Sequence, residues 1–135
     1  MAEAKKENMV NLMDIILPKV EVVNAPNTGN LSPANYGCGS WREYWEQRKW
    51  KRFLFHHDKL VRDGQNGLKY IPQYICPACG QSFSWNGEAP DCFDGCHVNI
   101  VGDTSKKLYI TPFCHACNKK DVKADVRKFY LIPAP

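Results

Sequence analysis

Apolar residues recur at helical spacing at the start of the chain, where Met9, Leu12, Met13, Ile16 and Leu17 would share one face of a short amphipathic helix ending before Pro18. Val20 to Val23 predicts a brief strand, and the Asn-, Pro-, Gly- and Ser-rich stretch from Asn24 to Gly39 predicts an irregular arm. Ser40 with Glu43 three residues on forms a capping box just before an aromatic-rich run, so a helix should start there with Trp41, Tyr44, Trp45 and Arg48 on one face. From Phe53 to Tyr74 apolar and polar residues alternate around Asp63-Gly64-Gln65-Asn66-Gly67, whose glycines suit a hairpin turn. His56 and His57 lie at the base of that hairpin and, as neighbours on a strand, point to opposite faces. Gly95 to Val101 and Leu108 to Cys114 predict two more strands joined by a turn, and a helix is expected from Cys117 to about Phe129.

Cysteine spacing changes this from a list of elements to a candidate chemistry. Cys76-Pro77-Ala78-Cys79 and Cys114-His115-Ala116-Cys117 each put two thiolates on one tight turn. Two such knuckles supply four soft ligands in a tetrahedron, the arrangement zinc prefers. Pro77 and Gly80 let backbone amides turn toward the sulfur atoms. The competing interpretation is a pair of disulfides. Seven cysteines leave an odd thiol, and residues 1–25 show no signal-peptide pattern, opening on a stretch from Met1 to Asn8 that is polar and mixed in charge, so zinc in a reducing cytoplasm is the expectation. Cys92 and Cys96, with His97 and Cys38 as further candidates, could bind a second zinc; otherwise they are small buried hydrophobes.

With 135 residues, 44% hydrophobic and 24% charged, the chain suits one ordinary soluble domain, and no apolar run approaches the length of a membrane span. A core that small gives a zinc site a large share of the folding energy. The net charge of +4 is unevenly spread. Seven Lys or Arg oppose three acids between Trp41 and Arg62, and five oppose two from His115 onward, so basic charge flanks the knuckle region. Arg42, Arg48, Lys49, Lys51 and Arg52 near the capped helix, with Lys119 and Lys120 after the second knuckle, are candidate phosphate contacts. Trp41 and Trp45 suit a small core better than a base-stacking platform.

The order of knuckle, strand bearing His97, turn, strand, knuckle and helix resembles the HNH or His-Me finger nucleases, in particular members whose ββα finger is stapled by two CxxC knuckles. The resemblance rests on Cys76, Cys79, His97, Cys114, Cys117 and Asn118 and covers less than half the chain. It implies an α+β fold: a small zinc-stapled domain with a ββα (HNH-like) finger, a preceding β-hairpin and flanking helices. The chain is expected to divide into residues 1–37, an N-terminal helix and irregular arm, and 38–135, the zinc-binding HNH-like domain, with the finger core that the resemblance implies over 76–129. His97 takes the place of the general base that activates water, and Asn118 that of a residue holding a catalytic Mg²⁺ or Mn²⁺. Neutral imidazole, with a reference pKa of about 6.5, suits proton abstraction at neutral pH.

Two positions depart from the family pattern. Cys96 stands where an Asp or His normally binds the catalytic cation, and a thiolate is too soft for Mg²⁺. Tyr109 stands where an Asn normally orients the histidine, with Asp91, Asp94 and Asp103 as substitute ligand candidates. The expected function is therefore a zinc-binding, HNH-like domain that binds DNA or RNA, with cleavage weak or absent. The alternatives are an active endonuclease using His97 and a non-catalytic adaptor or inhibitor that contacts another protein through the aromatic stretch.

Overall fold

The computed structural model describes residues 18–26, 28, 31–49, 56–64, 67–85 and 91–135. The helix expected over residues 1–17, and the phosphate-contact candidates Lys51 and Arg52, lie outside the described residues. The architecture is α+β, with two antiparallel sheets and few helices.

The brief strand expected at Val20 to Val23 is β1 (Lys19–Asn24), whose Val22 is completely buried. It is an inner strand of a five-stranded sheet, lying between β7 (Lys123–Arg127) and β5 (Phe93–Ile100). β5 pairs in turn with β6 (Tyr109–Cys114), which pairs with the short β8 (Ile132–Pro133). A separate three-stranded sheet holds β2 (His56–Asp63), β3 (Gly67–Ile75) and β4 (Ser82–Phe83). The β2–β3 register, Asp63 opposite Gly67, is the hairpin that the alternation predicts.

Ser40 caps α1 (Trp41–Glu46), accepting a bond from the Glu43 amide at 3.1 Å. The reciprocal bond differs from the capping-box expectation, because the Glu43 carboxylate accepts from Gly39 N–H at 2.8 Å, one residue further back. The helix is short, and Tyr44 and Trp45 on its inner face are buried. Trp45 is wholly enclosed and donates its indole N–H to the Tyr130 carbonyl at 2.7 Å, so it belongs to the core as expected. Gly95 makes the approach of α1 to β5 workable. A methyl group there would stand 2.3 Å from the Trp41 carbonyl carbon and 2.6 Å from the Arg42 nitrogen, inside backbone that cannot rotate away. Phe93 joins the two sheets, stacking on Trp85 and meeting Tyr74 and Phe83 edge-on.

The long helix expected after the second knuckle is not formed. α2 (His115–Asn118) stops after one turn and the chain continues as β7. Val122, Val126 and Phe129 have a spacing that suits a helix, but Lys123 to Val126 also alternates out and in, with Ala124 and Val126 buried. The edge of β1 decides between them: five consecutive residue pairs, Lys19 with Arg127 through Val23 with Lys123, complete a ladder that a helix would leave open.

Candidate metal centre and adjoining cleft

Each knuckle grows out of a strand end. Cys76 follows β3, where Gly80 N–H bonds back to the Cys76 carbonyl at 2.8 Å and Gly80 takes a φ of 74° that closes the turn. Cys114 ends β6, and α2 brings Cys117 round by a single turn. The four sulfur atoms lie within 4.8 Å of one another, positioned to bind a metal ion. The Cys79 and Cys114 sulfurs are 3.8 Å apart. A tetrahedral tetrathiolate zinc with bonds of ~2.3 Å sets its sulfurs about 3.8 Å apart, so the donor set and spacing fit that ion. All seven cysteines are free thiols.

Without an ion the cluster holds its protons unevenly. Burial pushes the Cys76 thiol up to about 11, although amide donors from Cys114, Cys79 and Ala78 pull the other way. Burial also raises Cys117, helped by its thiol neighbours. Burial raises Cys79 too, but the Gln81 amide and bonds from the other three thiols outweigh it and hold Cys79 below the usual thiol range. Four thiolates this close together, three of them on buried residues, repel one another strongly. A divalent cation supplies the missing charge and favours the deprotonated form of every ligand.

Beside this cluster lies a cleft of about 630 Å³ lined by Asn24, Trp41, His97, Asn118, Lys119 and Lys120, among others. His97 and Asn118, far apart in sequence, both reach it, as do the exposed Lys119 and Lys120. His97 is only 7% exposed and its Nε2 has no hydrogen-bond partner among the described residues. Trp41 meets the imidazole edge-on at 4.8 Å. Burial lowers the His97 pKa, because the cationic ring loses hydration, so the ring is neutral at pH 7. Asn24 fastens the cleft floor: its amide donates to the Cys117 and Asn118 carbonyls at 3.2 and 3.1 Å.

The other candidates are dispersed. Arg42 donates to the Trp85 and Phe93 carbonyls, which ties α1 to β5. Arg48 stacks its guanidinium on the Tyr44 ring at 3.4 Å, and the Lys49 ammonium lies over Phe129 at 4.0 Å. Cys96 is fully buried with its thiol pushed up to about 12, mainly by burial and then by Asp94. Cys38 is buried and donates to Gln47 Oε1. Cys92 groups with Asp94 and His115, not with Cys96, His97 or Cys38 as the second-zinc expectation had it.

Sequence reasoning missed His115, the residue between the second pair of cysteines. Its Nδ1 lies 2.6 Å from Asp94 Oδ2, and the Asn118 amide donates to the same oxygen at 3.0 Å. The strand register would have exposed it: Phe93 faces Cys114, so Cys92 and His115 are the next residues out on either strand. Compared with family models, curated proteins and solved structures, the chain finds no match in any of the three.

Proposed function

We propose that the chain is a zinc-stapled, HNH-like domain that binds nucleic acid through the cleft beside the four cysteines, with cleavage weak or absent. The observation that carries this reading is the gathering of His97, Asn118, Lys119 and Lys120 around one cleft. The four-cysteine cluster would hold zinc as a structural ion, fixing the second knuckle and therefore the position of Asn118 to Lys120. Two exposed ammonium groups at the cleft suit phosphate oxygens, and Asn118 and the unpartnered His97 nitrogen suit polar groups of a nucleotide.

A metal-dependent endonuclease is the second reading, favoured by the neutral, unpartnered His97 imidazole, which has the protonation state of a general base. Against efficient Mg²⁺ or Mn²⁺ chemistry, Asp121 is the one carboxylate among the described residues lining that cleft, and hard cations seek several oxygen ligands. The adaptor reading used the aromatic stretch as a contact surface; Tyr44 and Trp45 are buried, which leaves Trp41, half-buried at the cleft, to such a contact.

Retention of short DNA duplexes, single-stranded DNA and RNA on immobilised protein over a salt series tests the proposal. Wild type should bind at low salt and lose affinity steeply as salt rises, and Lys119→Glu with Lys120→Glu should flatten the salt dependence by about one unit of log–log slope per lost phosphate contact. No retention of any of the three at low salt, or a double variant identical to wild type, contradicts it. Nicking of plasmid with Mg²⁺ or Mn²⁺, lost in His97→Ala, would move the conclusion to the endonuclease.

A further inference from the structure

Asp94 does not belong to the four-cysteine cluster, yet it is the centre of a second group of ligand-type side chains. Cys92 Sγ, a carboxylate oxygen of Asp94 and a ring nitrogen of His115 all lie within 4.8 Å of one another. The backbone builds this convergence. Beyond the Phe93–Cys114 pair, His115 N–H bonds to the Cys92 carbonyl at 2.9 Å, closing the ladder so that the two residues stand side by side. Asp94, on the next position of β5, turns its carboxylate onto His115 Nδ1 at 2.6 Å. The Cys92 side chain is buried, and those of Asp94 and His115 are 26% and 23% exposed. The group is therefore sheltered but reachable from solvent.

One thiolate, one imidazole and one carboxylate form a mixed donor set. It suits zinc, which accepts sulfur, nitrogen and oxygen at tetrahedral distances, and does not suit Mg²⁺, which rejects sulfur. Three protein ligands with a fourth position left open is the pattern of exchangeable and catalytic zinc, in contrast to the closed four-thiolate cluster. Asn118 donates to the Asp94 oxygen at 3.0 Å and would orient that carboxylate toward an ion, the supporting bond that ligating carboxylates require. Asp94 and Asn118 also line a smaller cleft of about 280 Å³ with Ser40, Trp41 and Arg42. We propose that Cys92, Asp94 and His115 form a second, exchangeable zinc site beside this smaller cleft, with a water or a small anion as the fourth ligand.

The two sites share a wall, because His115 follows Cys114 directly. The second site should nevertheless fill after the first and release its zinc more readily, having one thiolate where the first has four. Binding through the Nδ1 that faces Asp94 would replace that hydrogen bond with two bonds to the ion, the ring proton of the neutral imidazole then sitting on Nε2.

Equilibrium dialysis of the full-length zinc-loaded protein against buffered free zinc, followed by elemental analysis, tests the site. Wild type should rise from about one to about two zinc ions per chain, whereas Cys92→Ala and Asp94→Asn should stay near one, their second step weakened at least ~100-fold. Asp94→Asn keeps the side-chain shape and tests the ligand without removing its bulk. Wild type that saturates at one zinc at millimolar free zinc, or variants that reach two with wild-type affinity, overturn the proposal. The wild-type titration decides the matter even if a variant does not fold. Nucleic-acid binding plays no part in the readout, so failure here is separate from failure of the functional reading above.

Discussion

Replacing Gly95 by alanine tests how the cleft is built. The added methyl would sit 2.3 Å from Trp41 C, 2.5 Å from Trp41 O and 2.6 Å from Arg42 N. Ordinary contacts to carbon require about 3.4 Å or more, so the first turn of α1 must retreat from β5 by roughly 1 Å. All three neighbours are backbone, and no rotamer change relieves the clash. Movement of that turn also strains the Arg42 bonds to the Trp85 and Phe93 carbonyls and the Trp41–His97 contact. Overpacking of this kind costs about 1–3 kcal/mol, which for a domain of this size lowers the melting temperature by roughly 3–12 °C. The assay is thermal unfolding of zinc-loaded protein followed by circular dichroism. Gly39→Ala is the control, since its methyl meets only the Glu43 carboxylate oxygen at 3.2 Å, and a small side-chain shift that weakens the bond to Gly39 N–H relieves it at a cost of less than about 1 kcal/mol. Equal melting temperatures for wild type and Gly95→Ala would refute the close approach of α1 to β5.

Two further outcomes follow from the same packing. Trp45→Phe removes the buried bond to the Tyr130 carbonyl and part of a fully enclosed ring, and should lower the urea midpoint by the equivalent of about 1–3 kcal/mol with an unchanged m-value; an unaltered midpoint contradicts the placement of Trp45. Burial depresses the His97 pKa, so the folded state takes up fewer protons than the unfolded chain as pH falls below about 6.5, and this group's contribution to stability is lost progressively from there downward. An NMR titration of the His97 ring should place its midpoint below that of a free histidine, and a midpoint at or above it would contradict the desolvated position.

What the sequence revealed, it revealed through local chemistry. Ser40 with Glu43, the glycines of the β2–β3 turn and the CxxC pairs each carry their own geometry, and each sits where its pattern placed it. The helix expected over Cys117 to Phe129 failed because Val122, Val126 and Phe129 satisfy a helical period as well as a strand, and the choice belongs to β1, a hundred or more residues away. The strand β8 was illegible for a similar reason: Ile132 and Pro133 carry little pattern, and pairing with Ile110 and Tyr109 defines them. The basic stripe divided by burial, which charge alone does not report. Arg42 anchors carbonyl groups, whereas Lys119 and Lys120 stay exposed at the cleft. His115 escaped notice because its partners, Cys92 and Asp94, are brought to it by strand register.

If Cys76, Cys79, Cys114 and Cys117 hold a zinc ion on which the fold depends, cobalt substitution read by visible absorption together with circular dichroism will report it. Cobalt(II) should give the intense bands of a tetrahedral tetrathiolate site, zinc should displace it, and Cys114→Ser should both weaken those bands and leave the metal-free chain without the cooperative unfolding of wild type. Weak octahedral bands, or a Cys114→Ser protein with the same spectrum and the same unfolding transition as wild type, would rule out a structural zinc at these four cysteines.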